Sequence, residues 1–331
     1  MKDMTFNRRQ LLQGAAALGV AGIAPLLLGE RTQAALPVGK TPPMSGEDMA
    51  AIDAAMGKKG TYNEAQATYT VALPRNDLKM TVKGDAVPIP FGFGGWVSVK
   101  RTLDGETAVL MSDTVLLQEE VNPLISAAQA NGLEIGAIHN HFFYEEPRIV
   151  YMHVHGMDDP SGLITRYAAA LKTTKLFPAN QPPAGAPPAR TGKDVFDVAA
   201  LDALVKYKAA VNGPTIKYTI GRDDLRVLAM GAEMTAAIGL NTWAAFAGTP
   251  ESAHIAGDIA MLEPEVNPVI RALRKNNLEV VALHHHMLGD TPKIIFLHYY
   301  GTGAAMTLAQ GFRAAIDELG KHGGMSMKMN G

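Results

Sequence analysis

The spacing of apolar and polar positions changes from stretch to stretch along this chain. "MAAIDAAM" (49–56) carries apolar side chains at helical spacing and predicts a short helix. "TYTVALPR" (68–75), "LKMTVKG" (78–84), "GGWVSVKR" (94–101) and "ETAVLMSD" (106–113) are rich in Val and Thr and bounded by Gly, Pro and charge, which predicts strands. "NPLISAAQANG" (122–132) returns to the helical period, with Asn122 placed to cap it, Pro123 suited to its first turn and Gly132 to its end. "LEIGAIHNHFF" (133–143) and "RIVYMHVH" (148–155) then predict two more strands, and "DPSGLITRYAAALKTT" (159–174) a closing helix.

The same succession occurs twice. Residues 116–156 lie without gaps over residues 261–301 at a shift of 145, "EVNP" on "EVNP" and "HNHF" on "HHHM". Upstream, Asp113 falls on Asp258 and, after a slip of two, Trp96 on Trp243 and Asp77 on Asp224; a further slip sets Tyr69 on Tyr218. Between the copies runs "FPANQPPAGAPPARTG" (177–192), whose prolines and glycines read as a linker. The expected organisation is a first repeat domain over 45–176, a second over 193–320 and a Met-rich tail over 321–331. The predicted fold class is α+β, with each copy a mostly antiparallel sheet and its helices packed on one side.

The repeat changes the meaning of the histidines. Of ten in the chain, His139, His141, His153 and His155 fall within 136–156, and His284, His286 and His298 occupy matched positions in the second copy, with Tyr300 in place of His155. A hairpin through "YEEPR" that pairs His139 with His153 sets Leu133, Ile135, Ala137, His139 and His141 on one face with Ile149, Tyr151, His153 and His155. Directly opposite side chains stand about 4.5 to 5.5 Å apart at Cβ, close enough for imidazoles to converge on one ion. The expectation is therefore a metal site in each repeat, its ligands His139, His141, His153 and His155 in the first and His284, His286 and His298 in the second. His285 and Asn140 point to the opposite face. Any one of these histidines alone reads as a hydrogen-bonded core residue; three matched in two copies do not.

Other acidic positions carry less. Glu120 and Glu265 offer a carboxylate for a metal or for general acid–base work, but the favoured reading is that they complement a helix N-terminus; the strand-end Asp113 and Asp258 have the same ambiguity. "GFGGW" (92–96) lacks the Lys-Ser/Thr of a phosphate loop and reads as a turn, with Trp96 and Trp243 packing each domain. No HExxH or GxSxG occurs.

Composition narrows the chemistry. Cysteine is absent, which removes disulfides and thiolate ligands, so a soft ligand has to be methionine; His322, Met325, Met327 and Met329 in the tail suit copper or read as a chance cluster. Arg8 and Arg9 precede "QLLQGAAALGVAGIAPLLL", too short and too interrupted by Pro25 for a span, and predict a twin-arginine (Tat) signal peptide over 1–35. Its removal takes Lys2, Arg8, Arg9 and Arg31 with Asp3 and Glu30, leaving 26 basic and 30 acidic residues; nothing in that balance courts nucleic acid.

"FGFGGW", "EVNP", "HNHF" or "HHHM", and "HVHG" or "HYYG" together resemble the LppY/LpqO family of exported bacterial proteins, also known as DUF1259, across both copies. The resemblance implies export and supports the repeat boundaries. The members that name the family look like lipoproteins; lacking Cys, this chain departs from them, which implies a soluble periplasmic or secreted product with no stable membrane span. The first functional reading is a periplasmic metal-binding protein with copper or zinc as cofactor. The rivals are a metal-dependent enzyme, bicupin-like or water-activating with the first repeat catalytic, and an envelope protein that binds a small-molecule or envelope ligand without metal.

Overall fold

The computed structural model describes residues 39–182 and 189–321; the signal-like segment, the middle of the linker and the Met-rich tail lie outside them. The first repeat runs α1 (Gly46–Met56), β1 (Thr61–Asn63), β2 (Thr68–Pro74), β3 (Met80–Val82), β4 (Asp85–Val87), β5 (Gly94–Arg101), β6 (Ala108–Leu117), α2 (Gln118–Ala130), β7 (Glu134–His139), β8 (Glu145–Glu146), β9 (Ile149–Asp158) and α3 (Pro160–Leu171). The second repeats it with α4 (Gly192–Val195), α5 (Val198–Val205), β10 (Ala210–Asn212), β11 (Thr215–Gly221), β12 (Val227–Ala229), β13 (Ala232–Met234), β14 (Asn241–Gly248), β15 (Ala253–Leu262), α6 (Val266–Lys275), β16 (Glu279–His284), β17 (Ile294–Gly303) and α7 (Ala305–Ile316).

Each repeat builds one six-stranded antiparallel sheet, ordered β1-β2-β5-β6-β9-β7 in the first and β10-β11-β14-β15-β17-β16 in the second. Alternation along the strands divides their side chains between two faces. One face packs on the helices of its own repeat: Tyr69, Val97, Leu110 and Val154 meet Ile52, Leu124, Leu163 and Tyr167 in the first core, and Tyr218, Phe246, Ile255 and Tyr299 meet Leu201, Val269 and Phe312 in the second. The opposite faces pack on each other. Two mixed clusters join Phe93, Val115 and Tyr151 to Ala245, Ala256 and Tyr300, and Val109 and Met111 to Ala260 and Phe296.

The small strands act across this seam. β12 and β13 put Val227, Ala229, Ala232 and Met234 against Val109 and Met111 of the first repeat, while β3 and β4 put Met80, Val82 and Val87 into the cluster that contains Ala245, Ala247 and Tyr300 of the second. Leu103 N–H donates to the Gly231 carbonyl at 2.9 Å and Lys83 pairs with Glu279 at 2.6 Å, so each repeat lends an arm to its partner. Trp96 and Trp243, expected to pack within their own domains, instead straddle the seam, Trp96 beside Gly239 and Trp243 beside Gly92.

Glu120 and Glu265 take the structural role. Each sits buried against an arginine, Arg75 at 2.6 Å and Arg222 at 2.7 Å, and each accepts a backbone N–H at the start of the following helix, from Leu117 and Leu262. A second N–H comes from the far end of the repeat, Lys175 or Gly320. This interaction starts α2 at Gln118, so Asn122 and Pro123 lie inside the helix rather than at its cap.

Candidate metal centre

The site grows from a row that crosses the sheet. In the second repeat the register sets Trp243 beside Asp258, Asp258 beside His298, and His298 beside Ala282. The first repeat has the same row, Trp96 beside Asp113 and His153 beside Ala137. Asp113 and Asp258 therefore sit in mid-strand, on β6 and β15, and not at strand ends.

The hairpin register differs from the expected one by two residues: His139 pairs with Tyr151 and Ala137 with His153. A bulge between Ile135 and Ala137 is the cause of a second difference. Ahead of it the side-chain alternation inverts, so Leu133 and Ile135 join the helix-side core and only the later residues face the seam. Gly136 lies at the bulge because the His155 ring fills the space beside it; a Cβ there would stand 1.8 Å from His155 Nε2.

The histidines of the two repeats meet in one cluster rather than in two separate sites. The 145-residue shift acts as a pseudo-two-fold axis through it. His139 stacks on its own counterpart His284 at 3.8 Å between ring centroids; His141 lies 3.7 Å from His298, and correspondingly His286 lies 4.2 Å from His153. Three groups bring ligand atoms within 4.8 Å of one another: His139, His284 and His298; His153, His284 and His286; and Asp113, His139 and His141. Two of the three draw on both repeats. The physical reason is packing: each His-bearing face is the face that buries against the other sheet.

Backbone contacts fix the imidazoles. His153 Nδ1 lies 2.9 Å from the Ser112 carbonyl and His298 Nδ1 3.0 Å from the Gly257 carbonyl. A carbonyl only accepts, so Nδ1 carries the proton in both rings and Nε2 is left with its lone pair facing the cluster. Holding the outer nitrogen this way is how proteins orient metal-binding histidines. His286 bonds the Gly239 carbonyl through Nδ1 at 3.1 Å and Asp258 through Nε2 at 3.1 Å; both partners accept, so Nε2 holds a proton there or a metal ion in its place. His139 and His153 bring their Nε2 atoms to 2.9 Å, close to the roughly 3.3 Å between two imidazole nitrogens that share a tetrahedral ion.

Electrostatics favours the ligand form. Burial, reinforced by the charge of His286, pushes His139 down to about 3, and burial holds His141, His153, His284 and His298 well below the usual imidazole range. These rings stay neutral at ordinary pH, as coordination requires. Burial pushes Asp113 up to about 7, with Asp258 adding to the rise and His286 and Lys217 opposing it.

The two halves are not identical. The Asp113 side chain is 16 % exposed and that of Asp258 only 2 %. His141 Nε2 stays 3.9 Å from Asp113, whereas His286 is in hydrogen-bond contact with Asp258. His155 stands outside the three ligand groups, buried, with neither nitrogen hydrogen-bonded among the described residues. Its counterpart Tyr300 is engaged by His254, which also meets Asp85 at 3.2 Å. His285 likewise stands outside the groups.

Sequence reasoning left Asp113 and Asp258 open between a structural and a ligand role; their match at the same shift as the histidines was the available signal. It passed over Lys217: the expected match of Tyr69 with Tyr218 sets Thr68 against it, whereas the register with the neighbouring strand drops that slip and puts Thr70 at the corresponding place, and neither residue resembles a lysine.

This architecture defines a class of protein in which two homologous α+β repeats close on a shared histidine and aspartate cluster. The chain belongs to the family described as Domain of Unknown Function (DUF1259), whose profile matches residues 50–173 and again 199–318. No curated protein matches the chain. Three solved structures are distantly similar to it. The trimeric bacterial microcompartment shell protein PduB is 14 % identical over 77 % of this chain and 88 % of its own, with a TM-score of 0.18. The double ringed trimeric shell protein MSM0271 from the RMM microcompartment is 11 % identical over 64 % and 83 %, at 0.16. EtuB from Clostridium kluyveri is 9 % identical over 85 % and 92 %, at 0.17. At such TM-scores these likenesses carry no argument about fold or function.

Proposed function

We propose that the protein binds a transition-metal ion, copper or zinc, in the histidine cluster between its repeats. One observation carries the reading: buried polar atoms without partners concentrate at this one place. His298 Nε2, both nitrogens of His141 and of His284, His139 Nδ1, Asp113 Oδ1 and Asp258 Oδ1 are all buried and unbonded among the described residues. Each such atom costs about 1 to 3 kcal/mol if nothing satisfies it, and folded proteins carry few. A divalent ion satisfies several together.

Imidazole and carboxylate without thiolate suit zinc and copper(II); calcium and magnesium prefer oxygen alone. His139, His284 and His298, or His153, His284 and His286, would hold the ion, with Asp113 and Asp258 flanking. A bound ion there supplies positive charge and a Lewis-acid position. The reading of residues 1–35 as a twin-arginine signal supports a periplasmic or secreted setting for this binding.

The test is metal content by plasma mass spectrometry on protein purified without a histidine tag and reconstituted with copper or zinc. Wild type and His155→Ala are expected to hold at least one equivalent, and His284→Ala, which removes a member of two ligand groups, to lose most of it. Wild-type protein that stays metal-free after reconstitution rules the reading out and leaves the histidines as part of an organic-ligand cleft.

A further inference from the structure

The two halves of the cluster share a fold, a register and an axis, so a residue that only supports the fold belongs in both. Lys217 breaks that rule. It lies on β11 beside Ala245, on the face turned to the seam, because its neighbours Ile216 and Tyr218 belong to the helix-side core. Its place in the first repeat is held by Thr70, whose hydroxyl bonds Ser98 at 2.7 Å.

The Lys217 ammonium stands over the Trp243 ring, 4.3 Å from its centroid, and that ring is 6.0 Å from His141 and 6.2 Å from His298. Among the described residues no carboxylate comes within 4.0 Å of it and no hydrogen bond engages it. Lys217 keeps part of its surface in solvent, and the charges of Asp113 and Asp258 act on it from beyond ion-pair distance. An accessible cation over an indole, with no direct ion pair, is placed to meet an anion at the rim of the cluster. The carboxylate of the same half, Asp113, is the more exposed of the two.

We propose that the half of the cluster formed by Asp113, His139 and His141 is the open one, and that it takes a small anion bearing carboxylate or phosphate oxygens, recognised by Lys217. The proposal rests on the metal reading. Asp113 alone repels an anion, and an ion held by the imidazoles of the adjoining groups with Asp113 flanking it reverses that sign, so anion binding requires the metal. The other half, where His286 is locked to an Asp258 that is almost wholly buried, keeps a supporting role. An ammonium is a point charge with three donors and does not enforce the paired geometry of a guanidinium, so charge rather than shape sets this selectivity.

The experiment is calorimetric titration of the metal-loaded full chain with acetate and, separately, with inorganic phosphate at fixed ionic strength. Metal content is measured before and after each run. Saturable binding is expected for at least one anion, and the tighter one identifies the oxygen chemistry. Lys217→Thr, which installs the first-repeat residue, should weaken it about tenfold or more, and Lys217→Arg should hold it within about threefold. Metal content should be the same in all three proteins, and metal-free protein should not bind either anion. A metal-loaded wild type that binds neither anion overturns this proposal and leaves the metal reading standing, as does equal binding by wild type and Lys217→Thr. Failure to load metal in wild type overturns both.

Discussion

His155 and Gly136 form a matched pair whose logic is visible in the second repeat. Where the ring of His155 needs a neighbour without a side chain, Tyr300 has turned to His254 and the residue matching Gly136 is Val281. Gly136→Val drives a branched side chain into both the imidazole and the His286 carbonyl oxygen, which lies 2.9 Å from the new Cβ. The expected cost is about 3 kcal/mol or more, read from urea unfolding. In a His155→Ala background the same change should cost less than half as much; equal costs in the two backgrounds would show that the ring is not what glycine accommodates. At this scale the candidate ligands were legible, because identical residues at identical offsets in two diverged copies need a common cause. Lys217 was illegible for the converse reason. A residue present in one copy only has no internal comparison, and a lysine on a strand reads as solvated.

The elements followed their periodicities closely, and the departures have local causes. β6 was expected to stop at Asp113, since a charge usually marks the end of an apolar run, yet the strand continues to Leu117 because the carboxylate faces the cluster. α2 begins four residues ahead of its expected cap because Glu120, inside the helix, reaches back to the Leu117 amide. The bulge at Gly136 inverted part of the predicted face, since alternation holds only while the ladder is regular. What no periodicity could reveal is the crossing of the small strands, because an amphipathic hairpin does not name the surface it covers. Met234→Asp tests that crossing. Met234 is buried in the cluster that holds Val109 and Met111 of the other repeat, so a carboxylate there should cost about 3 kcal/mol or more. Hydrogen exchange should rise in β6 of the first repeat as well as in β12 and β13. Exchange confined to the second repeat would mean that the arm does not bind the repeats together.

The molecule reads as two faces that each need a partner. The described residues of both repeats fall in one compact unit, and among them no helix is long and apolar enough to cross a membrane. Residues 39–182 expressed alone expose Val109, Met111, Phe93 and Tyr151 on a surface already complementary to a near-copy of itself. Such a fragment is expected to dimerise, with a mass by light scattering twice that of the single repeat, and to lose its fold on dilution. A monomer that stays folded would show that the seam contributes little to stability.

The pseudo-two-fold axis also bears on how such a protein can change. In a pair of identical subunits every substitution near the axis arrives twice, so a new cation beside the site comes as two cations and a lost ring leaves two holes. Joining the copies in one chain lifts that constraint. The seam retains ancestral mirror-like economy where His139 faces His284, and shows individual history where threonine stands opposite lysine and histidine opposite tyrosine. One half is free to acquire a task while the other keeps the scaffold upright.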